Sequence, residues 1–227
     1  MRPTKRFGLQ IGGRTSYDPL DMFKLKRLPP KFYQQNTFNL AKALLGQFII
    51  RKIGKKLLIG KIVETEAYYG PNDLASHASR GKTERTKIMF GQPGTAYIYL
   101  IYGMYYCFNI VTEAKNFPAA ILIRAAEPIN FKKEANGPGK LCRALKIDKT
   151  LNGENLITSK KLYLAQNLKS TSADLRRSKP TSVGEDRSLK ERRQIKKAKR
   201  IGIDYAGKYK DKLWRFYLKN NQFVSKK

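Results

Sequence analysis

The side chains best suited to chemistry are concentrated between residues 64 and 124. This segment carries two acidic residues two positions apart, Glu64 and Glu66, then the single histidine of the chain, His77, several tyrosines, and Arg124. A carboxylate can act as a general base toward water, and an aromatic ring can stack on a nucleobase. Together these residue types could hold a nucleobase and activate water beside it.

The charge of the chain favours a polyanionic partner. Lys and Arg number 47 against 17 Asp and Glu, which gives a net charge of +30 over 227 residues. Such an excess attracts DNA, RNA or an anionic membrane surface, and charge alone does not choose among them. Because 41% of the residues are hydrophobic, a fully disordered chain is excluded, and the length fits one domain with or without tails.

The sequence lacks the residues that several classes of protein require. Cys107 and Cys142 form no CxxC pair, and one histidine is too few for a zinc finger, so we expect no metal site. A nucleic-acid partner inside the cell implies a reducing compartment, so we expect no disulfide. The basic N-terminus has no apolar segment of the kind found in secretory signals. Residues 88–112 carry no charge, but Pro93 and five tyrosines favour aromatic strands over a membrane helix.

The two glutamates are expected on a β-hairpin. Residues 47–52 and 57–66 are predicted strands joined by a turn at Gly54. Alternation along the second strand places Glu64 and Glu66 on the same face. Two acidic side chains therefore point the same way in a protein with few acids.

The remaining elements are short. Thr37 is predicted to cap a helix over 38–45, and Gly137-Pro138-Gly139 is predicted to open another helix. Residues 70–87 are expected to form a loop. Further strands are predicted over 95–110, 119–124, 200–204 and 213–218. Short strands with few helices, without regular strand–helix alternation or a GxGxxG or Walker motif, indicate the α+β class.

The chain divides into a tail and one domain. Residues 1–33 are expected to form a basic N-terminal arm, and residues 34–227 the folded domain. Within that domain, residues 169–200 carry 12 Lys and Arg against 4 Asp and Glu and are expected to form an exposed loop or linker. This stretch is either a solvated charge run or a direct contact for nucleic acid.

The order of the motifs carries a resemblance to a known family. The motifs are V-E-T-E-A-Y at 63–68, S-H-A-S-R-G at 76–81, M-F-G-Q-P-G-T-A-Y-I-Y-L-I-Y-G-M-Y-Y-C-F-N at 89–109, L-I-R-A-A-E-P at 122–128 and G-P-G-K-L at 137–141. The series closely resembles the alkyladenine (3-methyladenine, methylpurine) DNA glycosylases of the mammalian type. The resemblance runs from Leu40 to Leu145 and resumes at R-I-G-I (200–203) and R-F-Y (215–217).

The resemblance implies a role for each matching residue. Glu66 matches the general base that activates water, and Arg124 an arginine near that water. The side chains that match the base pocket, including the one that disfavours the amino group of normal guanine, are Tyr68, His77, Tyr99 and Asn109. Tyr102 matches the side chain that fills the gap left by the extruded nucleotide. Glu64 is expected either to tune the protonation of Glu66 or to play a structural part.

Basic residues in the loops beside these motifs are candidates for contacts to DNA phosphates. The candidates are Arg80, Lys82, Arg85 and Lys140. One departure from the resemblance lies among them. Related sequences commonly carry T-P-R-N after the R-G, whereas residues 83–86 of this chain read T-E-R-T. Glu84 thus places a negative charge where DNA is expected to pass.

The resemblance implies a single α+β domain on a curved antiparallel sheet, with a hairpin that carries Tyr102 toward the DNA. The expected activity is excision of alkylated, deaminated or etheno purines from double-stranded DNA by a cytoplasmic monomer (nuclear in a eukaryote), without metal or organic cofactor. No lysine occupies a position suited to a Schiff base, so the expected product is an abasic site. Two alternatives are a non-catalytic DNA- or RNA-binding protein and a glycosylase fold adapted to structured RNA.

Overall fold

One antiparallel sheet organises the protein. The computed structural model describes residues 24–168 and 194–226. Nine strands occur in these residues: β1 (Leu25–Arg27), β2 (Phe48–Ile53), β3 (Lys56–Tyr69), β4 (Ala96–Ile101), β5 (Tyr105–Val111), β6 (Ala119–Pro128), β7 (Leu162–Asn167), β8 (Ile195–Ala198) and β9 (Arg215–Leu218). They form a single sheet with the order β1-β7-β2-β3-β6-β5-β4, and β9 pairs with both β3 and β8. The predicted α+β class is confirmed.

Within the described residues, three short α-helices accompany the sheet: α1 (Pro30–Tyr33), α2 (Thr37–Ala43) and α3 (Pro138–Leu145). The start of α2 differs from the prediction, because the Asn36 side chain accepts the Phe38 N–H and caps the helix, while Thr37 is its first residue. α3 begins at Pro138 as expected, since a proline in the first turn has no N–H to satisfy. Leu141 and Leu145 on α3 are fully buried in the core.

Strand β3 is the longest strand and pairs with three neighbours. β2 lies beside its first half, β6 runs along most of its length, and β9 pairs with residues 64–66. The register with β6 shifts on both sides of Glu64, which marks a β-bulge. Bulges re-aim side chains next to functional sites, and here Glu64 and Glu66 both reach the guanidinium of Arg124 on β6.

The structure differs from the prediction in two places. Residues 24–33 do not belong to an arm: β1 pairs with β7, and Tyr33 on α1 is fully buried in the core. The predicted strand over 200–204 is a sequence of bends and turns, whereas β8 lies within the basic stretch. The rest of the predicted arm (residues 1–23) and most of the predicted linker (residues 169–193) lie outside the described residues.

Both cysteines, Cys107 and Cys142, are free and buried. Most of the uncharged stretch over 88–112 forms the aromatic strands β4 and β5, and its first residues, 88–90, belong to a 3-10 turn. Within the part of the chain that the structure describes, no helix is both long and apolar enough to cross a membrane.

Candidate active site

An open pocket lies where strands β3, β4, β5 and β6 meet the loops before β4 and β9. Its empty volume is about 660 Å³, including solvent at the open mouth. The pocket brings together five of the predicted site residues: Tyr68, His77, Tyr99, Asn109 and Arg124. These residues come from several different elements, so the fold rather than the local sequence assembles them.

Glu66 lies immediately behind the pocket wall and is fully buried. Its Oε2 accepts a hydrogen bond from the Tyr68 hydroxyl at 2.9 Å, and its Oε1 accepts one from the Ile201 N–H at 2.9 Å. Arg124 Nη1 lies 3.3 Å from the same Oε1. All three partners line the pocket. Two hydrogen bonds and one ion pair hold the Glu66 carboxylate in a fixed orientation, and only the residues that line the pocket separate it from the pocket.

Arg124 joins the two buried carboxylates. Its Nε lies 3.6 Å from Glu64 Oε1, while Nη1 faces Glu66. Burial opposes the charged form of this guanidinium, but Glu66 and Glu64 outweigh that cost and raise its pKa. Arg124 is therefore a fixed positive charge at the floor of the pocket.

Glu64 is held mainly by groups outside the pocket. Arg215 Nη1 donates to Oε1 at 2.7 Å, and the Ser225 N–H donates to Oε2 at 2.7 Å. Arg215 also donates to the Lys226 carbonyl at 2.7 Å. Glu64 thus ties β9 and residues 225–226 to the centre of the sheet, which favours a structural part for this carboxylate.

The aromatic wall is an interlocked cluster. His77 Nδ1 lies 3.0 Å from the Tyr97 hydroxyl, and the His77 ring meets the Tyr99 ring edge-on with centroids 4.4 Å apart. Burial, then Arg85 and Arg80, lower the pKa of His77 to about 4. Burial also raises the pKa of Tyr99 well above its ordinary value. At neutral pH this wall therefore consists of uncharged rings.

Tyr68 and Asn109 are fixed from behind. Burial and the nearby Glu66 raise the pKa of Tyr68 well above its ordinary value, so its hydroxyl keeps the proton that it donates to Glu66. Asn109 is buried, and its Nδ2 donates to the Tyr97 carbonyl at 3.1 Å and the Cys107 carbonyl at 3.4 Å. Both side chains therefore present a defined shape to the pocket.

Tyr102 lies at the tip of the β4–β5 hairpin. It is 81% exposed and has a positive φ of 53°, followed by Gly103 with a φ of 68°. A left-handed φ is unusual for tyrosine and costs energy. Met104, the next residue of the turn, is 66% exposed. The hairpin thus exposes two large side chains, Tyr102 and Met104, to solvent.

The four candidate phosphate contacts lie at the surface, but three of them already have neighbours. Lys82 Nζ lies 5.9 Å from the Phe90 ring centroid. The guanidinium carbon of Arg85 lies 5.2 Å from the Tyr99 ring centroid. Lys140 donates to Glu134 at 2.9 Å and to Asn136 at 3.2 Å. Arg80 and Lys82 lie on the surface of the loop that carries His77.

The negative charge of Glu84 is paired within its own loop. Lys87 Nζ lies 2.6 Å from Glu84 Oε2, and this contact lowers the pKa of the carboxyl. The departure from the T-P-R-N pattern therefore adds a local ion pair rather than an isolated negative charge.

Comparison with known sequences identifies the family. The family model described as Methylpurine-DNA glycosylase (MPG) matches residues 31–222. The chain belongs to the methylpurine-DNA glycosylase family. It is accordingly a DNA glycosylase, a hydrolase of the N-glycosidic bond, and DNA is its substrate.

Curated relatives of this glycosylase come from several organisms and match it along their full or nearly full length. A protein of Clostridium perfringens (strain SM101), provisionally named 3-methyladenine DNA glycosylase, is 44% identical over 223 residues, covering 88% of this chain and 100% of the relative. A relative from Legionella pneumophila (strain Corby) with the same provisional name is 43% identical, covering 89% of this chain and 100% of its own length. A third, from Methanocella arvoryzae, is 42% identical, covering 88% and 96%.

Sequence reasoning missed three interactions that shape the site of this glycosylase. The Tyr97 hydroxyl is within hydrogen-bond distance of His77, Asp73 forms an ion pair with Arg200, and Arg215 forms an ion pair with Glu64. Arg200 and Arg215 each begin one of the family motifs, R-I-G-I and R-F-Y. The signal that could have found them was a basic residue at the head of a motif that is otherwise largely apolar.

Proposed function

We propose that this glycosylase excises alkylated purines from double-stranded DNA by extruding the damaged nucleotide into the pocket and hydrolysing its glycosidic bond with water activated by Glu66. The observation that carries the proposal is the buried Glu66 carboxylate, which lies behind an aromatic pocket and is held by two of its lining residues, Arg124 and Tyr68. A base inside a duplex is out of reach of any side chain, so the nucleotide must leave the stack, which costs a few kcal/mol.

The pocket suits a flat and electron-poor base. Tyr68, His77 and Tyr99 line it with uncharged rings. The faces of aromatic rings attract cations by about 0.5–2 kcal/mol per contact, and many alkylated purines carry a positive charge. Asn109 narrows the pocket and is expected to disfavour the exocyclic amino group of normal guanine. Deaminated and etheno purines are proposed as further substrates because they share the flat shape.

Glu66 is proposed to play two parts in the reaction. As a carboxylate it can accept a proton from the attacking water, and its charge can stabilise the positive sugar that develops as the base leaves. Arg124 orients Glu66 through the contact between Arg124 Nη1 and Glu66 Oε1.

Tyr102 is proposed to enter the DNA when the nucleotide leaves. Its phenol is free of the protein surface and stands at the tip of a two-stranded hairpin. An inserted ring recovers stacking in the gap, and such wedges commonly enter the minor groove and bend the duplex. Arg80, Lys82, Arg85 and Lys140 are proposed to bind phosphates around the site.

The proposed product is an abasic site with an uncut backbone. A bifunctional enzyme needs an amine that attacks the sugar to form a Schiff base. No lysine is among the described residues that line the pocket. Water is therefore the proposed nucleophile.

The test is release of free base from a panel of duplexes. Each duplex contains one 3-methyladenine, 7-methylguanine, hypoxanthine or ethenoadenine, and the released base is identified by mass spectrometry. We expect free alkylated base together with an abasic strand that breaks only after alkali treatment. Release from none of the damaged duplexes contradicts the proposal, and preferential release from matched structured RNA supports an RNA substrate instead.

A further inference from the structure

A buried ion pair joins the loop after β3 to the loop after β8. The side chains of Asp73 and Arg200 are fully buried, with Nη1 2.6 Å from Oδ2 and Nη2 2.8 Å from Oδ1. Nη1 also donates to the Ala67 carbonyl at 3.0 Å, while the buried Nε has no hydrogen-bond partner among the residues that the structure describes. Replacing a buried ion pair by apolar residues is often neutral or stabilising. Stability alone is therefore a weak reason for this pair.

The guanidinium of Arg200 supports both of the hydrogen bonds that Glu66 accepts. It lies between two rings, 4.7 Å from the Tyr68 centroid and 4.9 Å from the Trp214 centroid. The Tyr68 hydroxyl donates to Glu66 Oε2, and the N–H of Ile201, the residue after Arg200, donates to Oε1. Displacing Arg200 would therefore move one donor through its ring and the other through the backbone.

The carboxylate of Asp73 fixes the segment that leads to His77, another residue that lines the pocket. It accepts hydrogen bonds from the Tyr69 N–H at 3.2 Å and the Ala75 N–H at 3.1 Å. The backbone carbonyl of Asp73 accepts from the Ser76 N–H at 2.8 Å, and Ser76 caps the 3-10 turn that begins at His77. The same residue thus anchors the start of the turn that presents His77.

We propose that Asp73 and Arg200 are a positioning pair for the general base, which hold the Ile201 N–H and the Tyr68 hydroxyl on the two oxygens of Glu66. The inference rests on the proposed function of Glu66. Neither residue of the pair lines the pocket, so their effect on the reaction passes through the groups that they hold.

The variants Asp73→Asn and Arg200→Lys test the pair. Asparagine has the same shape as aspartate without its charge, and lysine keeps the charge of Arg200 but loses its planar fork and stacking. The matched control is Asp211→Asn, which breaks the Lys199–Asp211 pair, where both side chains are more than half exposed. Single-turnover base release, affinity for DNA with an uncleavable abasic analogue, thermal unfolding and the pH–rate profile are measured for each.

We expect single-turnover release to fall about tenfold or more in both pair variants, since each disturbs hydrogen bonds to a charged group. DNA affinity should stay within about threefold, because the pair touches neither the hairpin nor the exposed cations. The acidic limb of the pH–rate profile should move to higher pH, because loss of donors to a carboxylate favours its protonated form. Asp211→Asn should match the wild type in every readout.

A backbone ester at position 201 tests the same idea without a side-chain change. Incorporating the α-hydroxy analogue of isoleucine removes the Ile201 N–H alone, and we expect slower release with the same displacement of the acidic limb. A folded variant with wild-type rate, or a slow variant with an unmoved acidic limb in both the ester and the side-chain variants, overturns the positioning pair. Absence of release from the wild-type protein contradicts the proposed function itself, so the two failures are distinguishable.

Discussion

Replacing Tyr102 with alanine should slow base release while leaving the fold intact. The side chain is 81% exposed, so its truncation removes almost no contact within the protein. The left-handed φ of 53° is equally unfavourable for alanine, and the free energy of unfolding should change by less than about 0.5 kcal/mol. Stacking of one aromatic ring on a base contributes about 1–3 kcal/mol. Without that stacking, the single-turnover rate should be about 5- to 150-fold lower.

Rapid-quench measurement of base release, beside chemical denaturation of the same samples, checks this prediction. Tyr102→Phe keeps the ring and should retain the rate. Leu213→Ala truncates another exposed apolar side chain, 51% accessible and outside the pocket lining, and should behave as the wild type. If the release rate of Tyr102→Ala were within about twofold of the wild-type rate, the proposed insertion of Tyr102 would be refuted. The ring would then not stabilise the DNA from which the nucleotide has been extruded.

Three further predictions concern the buried charges and the basic stretch. The pKa of His77 is lowered from an ordinary 6.5 to about 4, so between these pH values the unfolded chain binds a proton that the native protein does not. The free energy of unfolding should therefore decrease as pH falls from about 6.5 toward 4. Urea unfolding of His77→Gln should show a smaller decrease over the same pH range. Glu64→Gln should lower the free energy of unfolding by about 3 kcal/mol in denaturant titrations, since it breaks a buried pair, whereas Glu134→Gln, at an exposed pair, should cost less than about 1 kcal/mol. Replacing several Lys and Arg of the basic stretch by Gln, with the buried Arg200 left in place, should flatten the dependence of DNA affinity on salt. We expect a change of about 0.9 in log–log slope for each phosphate that is no longer neutralised, and an unchanged slope would show that these side chains do not contact DNA.

The hairpin of β2 and β3 and the aromatic strands were predictable because their patterns are local. Alternation along one strand is enough to place Glu64 and Glu66 side by side, and Pro93 with several tyrosines is enough to disfavour a membrane helix. The assembly of Tyr68, His77 and Tyr99 into one wall was expected only through the family resemblance. Their spacing alone is compatible with an ordinary core.

The parts that escaped prediction depend on distant partners or on a pattern hidden by charge. Asp73 and Arg200 are 127 residues apart, and nothing in either segment indicates the other. β8 reads Ile-Lys-Lys-Ala, and its two lysines hide the strand inside a basic stretch. Residues 24–33 contain four Lys and Arg and two Pro, a composition typical of a basic tail. Tyr33 is nevertheless buried at the end of a helix of only four residues. Burial of this kind is decided by the sheet that forms around it.

The substitution Glu66→Gln tests whether Glu66 activates the water that releases the base. Glutamine preserves the shape of the side chain and keeps one oxygen that can accept a hydrogen bond, but it cannot take a proton from water. Under single-turnover conditions with a duplex containing 3-methyladenine or hypoxanthine, we predict that release falls by about 100-fold or more while affinity for the damaged duplex is retained. Release by Glu66→Gln at the wild-type rate would contradict the account.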